Sequence, residues 1–301
     1  MRKTTRIRIS VGERLFYELN HLFMAFLIFI TLYPMLYVLF CSFSSPSALV
    51  RVDGLLWRPA GFSLRGYAAV FRSQNIWLGY RNTLFYVLVG TLLSMTLTIL
   101  GAYALSRKGY MLKKGIIILI MITMFFSGGM VPSYLLISRL NMLNTVWAMI
   151  VPGALSTYNM IVLRTSFQGI PDSLHESAYL DGAGDFTILL KIVLPVSLPA
   201  LATITLFYAV DIWSAWYAAL VYLQGRRDLY PLQMFLRELL VTGDFADPNF
   251  VSTLQGDSDQ YLLKEVIKYA TIIVSTVPIL LVYPFLQKYF VKGVLVGSIK
   301  G

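Results

Sequence analysis

Hydrophobic positions in this chain fall in long continuous runs and do not alternate with polar ones. Six runs, at 21–41, 82–106, 115–138, 144–163, 197–222 and 266–287, each approach the roughly 20 residues a helix needs to cross about 30 Å of hydrocarbon. Unbroken apolarity predicts helices; a membrane barrel would alternate every second residue. The fold class expected is therefore an all-α integral membrane protein with six transmembrane helices. Between the fourth and fifth runs the pattern changes: "HESAYLDGAGDF", starting at His175, packs acids and glycines into a few residues. Ser173 and Glu176 have the spacing of a capping box, after a helix-stopping Pro171. A short helix is expected to end near Asp181 at Gly182 and Gly184, and a second to run from Asp185 to Leu194, closed by Pro195. Leu174 and Ala178 share a face four residues apart. Such a small apolar face edged by carboxylates has two readings: a docking knob for a groove on another protein, or a re-entrant loop packed on the chain's own helices.

Other breaks are local. "SGGMVP", 127–132, interrupts the third run, where neighbouring helices or a wet cavity must satisfy the freed backbone groups. Residues 9–20 read either as an amphipathic helix in the membrane interface or as the start of the first span. The segment 42–81, rich in arginine and aromatic residues, reads as an ordered external cap, and 240–265 as acidic turns. No linker or low-complexity tract divides the chain, so residues 1–301 are expected to be one membrane domain: an N-terminal segment at 1–20, core helices at 82–287 including a polar loop at 171–195, and a tail at 288–301.

Composition sharpens the membrane reading. Only 13% of residues are charged against 57% hydrophobic, with a mean hydropathy of +0.69, about half the charge of an ordinary soluble domain. The basic start (Arg2, Lys3, Arg6, Arg8) also fits a secretory signal, but its apolar run exceeds the 7–15 residues of a signal peptide and no A-x-A site follows. Six spans put both termini on one side. Placing them in the cytoplasm gives inner segments holding fourteen of the twenty-five Lys and Arg, four of them in "SRKGYMLKKG" between spans two and three. The net charge of +10 then reflects orientation, and nucleic acid is not an expected partner. The single Cys41 forms no internal disulfide, and two histidines, His21 and His175, supply too few ligands for a metal site.

Glu176-Ser177-Ala178, three residues, Gly182, nine residues and Ile192-Val193-Leu194-Pro195 together resemble the EAA signature of permease subunits of bacterial binding-protein-dependent ABC importers. Ser177 stands where that family usually has alanine, an equally small residue. "MFFSGGMVPSYLLI", "LNTVWAMIVPGALSTYNMIVLR", "LYPLQMFLRELL" and "FVKGVLVGSIKG" are similar to the carbohydrate-uptake branch, in particular to permeases for complex oligosaccharides. The resemblance covers nearly everything from span two onward. It implies that 171–195 is a coupling helix seated in a cytoplasmic ATPase subunit. Glu176, Ser177, Ala178, Asp181, Gly182, Leu194 and Pro195 would carry that role, with Glu176 facing ATPase cations and Ala178 and Gly182 allowing close approach. The implied partners are a second, homologous permease in a heterodimer, two ATPase subunits, an external solute-binding protein, an oligosaccharide and the lipid of the bacterial cytoplasmic membrane. No G-x-x-x-x-G-K-[ST] loop occurs in the chain, so no cofactor is expected here; ATP and Mg would be bound by the partner subunits.

Asp211 is the only acid deep in a span, and a buried membrane carboxylate marks a functional position by default. Tyr208, Asp211 and Ser214 repeat on one face, with Trp213, Trp216 and Tyr217 on a neighbouring one. These residues suit a path for sugar rings, and Trp216 and Tyr217 equally suit an interfacial aromatic belt. Arginines of the outer segments (Arg51, Arg58, Arg65, Arg72, Arg226, Arg227) would match an anionic saccharide, a binding protein or lipid phosphates. Two rival functions exist. An ion-coupled secondary transporter would need more buried charges than Asp211 or an inverted repeat, and an enzyme would need a catalytic constellation that two His, one Cys and no HExxH or G-x-S-x-G do not supply.

Overall fold

The computed structural model describes residues 10–108, 112–241 and 260–298, and these are helical apart from turns and one isolated antiparallel pairing of Ser44 with Phe62. The basic residues at 2–8, the acidic stretch at 243–250 and the chain's last residues lie outside them. Among the described residues, three helices are long and apolar enough to cross a membrane: Val11–Ser42, Gln74–Ser106 and Leu263–Val282. Two further pairs qualify if each bent pair is one span: Lys113–Phe125 with Met130–Arg139, bent by 112°, and Asp185–Val196 with Leu198–Trp213, bent by 86°.

The described residues cluster into two compact units, 10–72 with 260–273 and 73–241 with 274–298. In the first, α1 (Val11–Ser42) opens with a capping box one turn long: Glu13 N–H donates to Ser10 Oγ at 3.2 Å and Ser10 N–H to Glu13 Oε2 at 2.7 Å. The helix then runs unbroken, so residues 11–20 begin the first span and form no separate element. After it come α2 (Pro46–Leu49) and α3 (Arg65–Arg72). The intervening segment is ordered by Tyr33, whose hydroxyl accepts from Leu56 N–H at 3.0 Å, and by Phe43 stacked on Phe62 at 5.8 Å. Gly66 lets α3 approach the last helix, α15 (Gln260–Ser298): a Cβ there would lie 2.8 Å from Val266 Cγ1.

The second unit is organised around α4 (Gln74–Ser106). It is followed by α5 (Lys113–Phe125), α6 (Met130–Arg139), α7 (Trp147–Ile150), α8 (Thr157–Gln168), α9 (Asp172–Leu180) and α10 (Asp185–Ile188). A π-helical turn at Leu189–Val193 leads into α11 (Leu194–Val196), then α12 (Leu198–Trp213), α13 (Tyr217–Tyr222), a 3₁₀ turn at Arg227–Leu229 and α14 (Leu232–Val241). Ala102, Leu163, Phe167, Ile188, Val193 and Ile204 form the centre of its core. Polar side chains of α4 hold the segment before α14: Asn82 donates to the carbonyls of Asp228 and Tyr230 at 2.8 and 3.0 Å, and Thr83 Oγ1 accepts from Leu232 N–H at 2.8 Å.

Three sequence expectations change here. The fourth run, 144–163, is not one helix: α7 and α8 are separated at 151–156, where Pro152 and Gly153 remove a donor and add flexibility. The fifth run, 197–222, is likewise divided into α12 and α13 by a turn at 214–216. Finally, Pro195 does not close the helix that follows Asp185. The widened π turn directly before it accommodates the ring, Leu194 N–H reaching back five residues to Leu189, and the chain bends only after Val196. The break at 126–129 is present as anticipated, with Gly129 at φ +87° capping α6.

Candidate functional site

α9 starts directly after Pro171, with Asp172 in its first turn where a carboxylate complements the helix dipole. The expected capping box is absent. Ser173 lies inside the helix, so its hydroxyl is not at the position that caps free N–H groups, and no side chain caps this terminus. The C-terminal end follows the glycine rule closely. Gly182 has φ +78°, its N–H bonds to Tyr179 O at 3.0 Å, and Ala183 N–H bonds to Ala178 O at 2.9 Å, the paired closure of a Schellman motif.

The inward face of α9 is His175 with Ala178, not Leu174 with Ala178. Ala178 is buried in the chain's own core cluster, together with Phe167, Ile170 and Ile188. Outward, Glu176 and Leu180 share a face four residues apart; Leu180 is 89% exposed. Ser177, Asp181 and Gly182 are exposed as well, as is Phe186 on α10. Leu194 is half-buried against the core, and Pro195 is exposed beside the 86° bend.

A polar clamp fixes α9 to the end of α4. Lys108 pairs with Asp172. Arg107 lies between two rings, 5.7 Å from Tyr103 and 5.5 Å from Tyr179, and donates to the Tyr179 hydroxyl at 3.1 Å. Tyr179 in turn donates to Asp185, as does Tyr103 at 3.5 Å. The hydrogen bond from Lys108 holds the Asp172 carboxyl below its ordinary range, and the one Tyr179 gives Asp185 raises its phenol. His175, only 8% exposed and with no partner for Nδ1 among the described residues, borders a cavity of about 180 Å³ together with Ser106, Arg107 and Phe167. Burial and the Arg107 charge push its imidazole below the usual histidine range. Sequence reading missed this clamp, although the cations directly after the second run were its signal.

The residues of the expected sugar path separate into two groups. Tyr208 is buried, its hydroxyl bonded to Thr98 Oγ1 at 2.7 Å and accepting from Ser156 N–H at 3.0 Å. Trp213 is also buried, donating through Nε1 to Ser275 O at 3.2 Å and packed edge-on to Tyr80. Both side chains are buried in the chain and tied to neighbouring segments by these bonds. Asp211, Trp216 and Tyr217 are exposed, and Asp211 has no hydrogen-bond or ion-pair partner among the described residues. Of the arginines expected in the outer segments, Arg226 grips Asp228 with two bonds of 2.8 Å and Arg227 reaches Glu238 at 2.6 Å.

A scan against protein-family models finds no match. The polygalacturonan/rhamnogalacturonan transport system permease protein YtcP of Bacillus subtilis (strain 168) is 40% identical over 294 residues, covering 96% of this chain and 99% of that protein. Protein LplC of the same organism is 37% identical over 290 residues, covering 96% of each. Among solved structures, a chain of a bacterial ABC transporter involved in the import of the acidic polysaccharide alginate superposes with a TM-score of 0.87 at 32% identity, covering 95% of this chain and all of that one.

Proposed function

The chain belongs to the permease subunits of ABC sugar importers, and from that premise we propose that it forms half of the membrane pathway for an acidic oligosaccharide handed over by an external binding protein. The cargo class is supported by the relatives: alginate is an acidic polysaccharide, and polygalacturonan likewise carries a carboxylate on its repeating sugar. A homologous second permease supplies the other half, and two ATPase subunits bind ATP and Mg on the cytoplasmic side. In this reading the chain crosses the bacterial cytoplasmic membrane six times with both termini inside, the bent and divided helices counting as spans.

The observation that carries the coupling role is α9 itself. It is a short polar helix with an exposed Glu176–Leu180 face, closed at Gly182 and clamped to the end of α4 through Lys108, Arg107, Tyr179 and Asp185. A partner that pushes on Glu176 and Leu180 moves a body rigidly tied to α4, the helix at the centre of the core. ATP-driven closure of the ATPase pair would thus tilt the helix bundle as a unit and switch access from outside to inside. Among the pathway candidates, Asp211, Trp216 and Tyr217 are exposed and so are the first to test for cargo contact, whereas Tyr208 and Trp213 are buried.

Co-expression with neighbouring genes, purification in mild detergent and mass analysis test the assembly: a second permease and two ATPase copies should co-elute. In vesicles carrying that complex, Glu176→Lys should abolish ATP-driven uptake of an oligogalacturonide while the chain still inserts. Wild-type uptake by that variant removes α9 from coupling. Uptake without ATP by the chain alone would favour an ion-coupled transporter instead.

A further inference from the structure

We infer that Arg237, lying on the face of Trp216, forms with Trp216 and Tyr217 a subsite that receives the carboxylate of a uronic-acid unit as the saccharide passes; this rests on the acidic-cargo reading above. Three arginines stand close in sequence here, and two are already used. Arg226 holds Asp228 and Arg227 holds Glu238, whereas half-buried Arg237, whose charge also acts on the Glu238 carboxylate, makes no ion-pair contact of its own among the described residues. Its guanidinium carbon sits 5.3 Å from the centre of the Trp216 ring. Such stacking uses the face of the guanidinium and leaves its in-plane N–H donors free, in the forked geometry that matches a carboxylate.

The ring beneath is itself accessible. Trp216 and Tyr217 are 40% and 51% exposed, and their rings meet at 90° with centres 5.7 Å apart, forming an aromatic corner. A pyranose offers an apolar C–H face to such a corner and its carboxylate to the cation at the rim. The corner continues inward: the Tyr217 hydroxyl contacts Met130 Sδ at 2.8 Å, and Met130 is one wall of a cavity of about 350 Å³ shared with Tyr134, Leu220 and Gln224. That is within the size range of small-molecule sites. The elements that build this place are α6, α13 and α14, flanking the break at 126–129 and the turn at 214–216 where the chain leaves regular helix.

The test uses the full importer in vesicles with its binding protein kept saturated, comparing an oligogalacturonide with its methyl ester, which has the same rings and no charge. Arg237→Gln should lower transport of the acid about tenfold, the loss expected of one charge-assisted pair, with little change for the ester. Arg237→Lys, which keeps the charge but not the planar fork, should fall between. The assembled complex should be recovered in wild-type yield from both variants. Unchanged transport of the acid, an equal loss for the ester, or a loss of assembled complex by both variants would each overturn the subsite, the last making Arg237 a structural brace. Failure of the wild-type complex to move either saccharide would overturn the cargo reading as well.

Discussion

α1 and α4 are almost the same helix by composition. They have 32 and 33 residues and apolar windows of mean hydropathy 2.3 and 2.0, yet none of the first window is buried within the chain and 28% of the second is. The difference lies in small and polar residues. Along α4 the buried positions include Gly79, Asn82, Thr83, Tyr86, Gly90, Ser94, Thr98 and Ala102, a stripe three or four residues apart. Between Leu22 and Leu32, α1 presents bulky apolar side chains at nearly every position. Lipid is as apolar as leucine, so oiliness does not tell a helix which side faces protein; close approach and interhelical hydrogen bonds do.

The comparison breaks first at Gly79, where a Cβ would stand 2.9 Å from the backbone of Leu232 and 3.0 Å from Phe235. Gly79→Val should cost about 3 kcal/mol or more, at the upper end for overpacking against atoms that cannot move aside, read as lost folded protein in detergent. Tyr208→Phe comes next. It strands the buried Thr98 hydroxyl and Ser156 N–H, and about 1–2 kcal/mol of thermal stability should go with them; an unchanged melting temperature would mean the stripe's polar bonds are dispensable. A smaller effect is expected at the end of α4. The folded-state pKa of His175 is depressed, so the neutral imidazole contributes full stability above its ordinary pKa of about 6.5, and that contribution declines as pH falls below it. His175→Gln should flatten the fall in melting temperature between pH 7 and 5, and an identical slope would remove His175 as its source. The smallest effect belongs to α1: Phe23→Ala should change the isolated chain's stability by less than about 0.5 kcal/mol, since that side chain is more than half exposed.

The same contrast explains what the sequence disclosed. The break at 126–129 and the end of α9 at Gly182 were legible because glycine and proline act through the backbone, whatever surrounds them. The short polar helix was legible because it interrupts apolar runs. What failed was orientation. Tyr208 and Asp211 share a face by spacing, yet Tyr208 is buried, with Thr98 and Ser156 bonding its hydroxyl, and Asp211 is exposed; which side of a mostly apolar run meets protein leaves no periodic trace. Ser173 and Ser10 have the same capping signature, and only Ser10 stands at a free helix start. In α9 the shared face of Leu174 and Ala178 is split, Ala178 buried with His175 and Leu174 exposed. The clamp of Arg107, Lys108 and Tyr179 that holds the helix there joins residues 64 and 72 positions apart in sequence.

One extra residue is stored in the π turn at Leu189–Val193. A ruler made of α-helix turns through about 100° per residue, so this turn acts as a phase offset between the clamp at Asp185 and the spans that begin at Leu198. Deleting a single residue there would leave length, charge and oiliness almost untouched, yet it would turn α10 by about 100° about its own axis relative to α11. In the coupling proposed above, the phase between α10 and the helix that follows the turn is therefore set by counting, and insertion or deletion would shift it where substitution would do little.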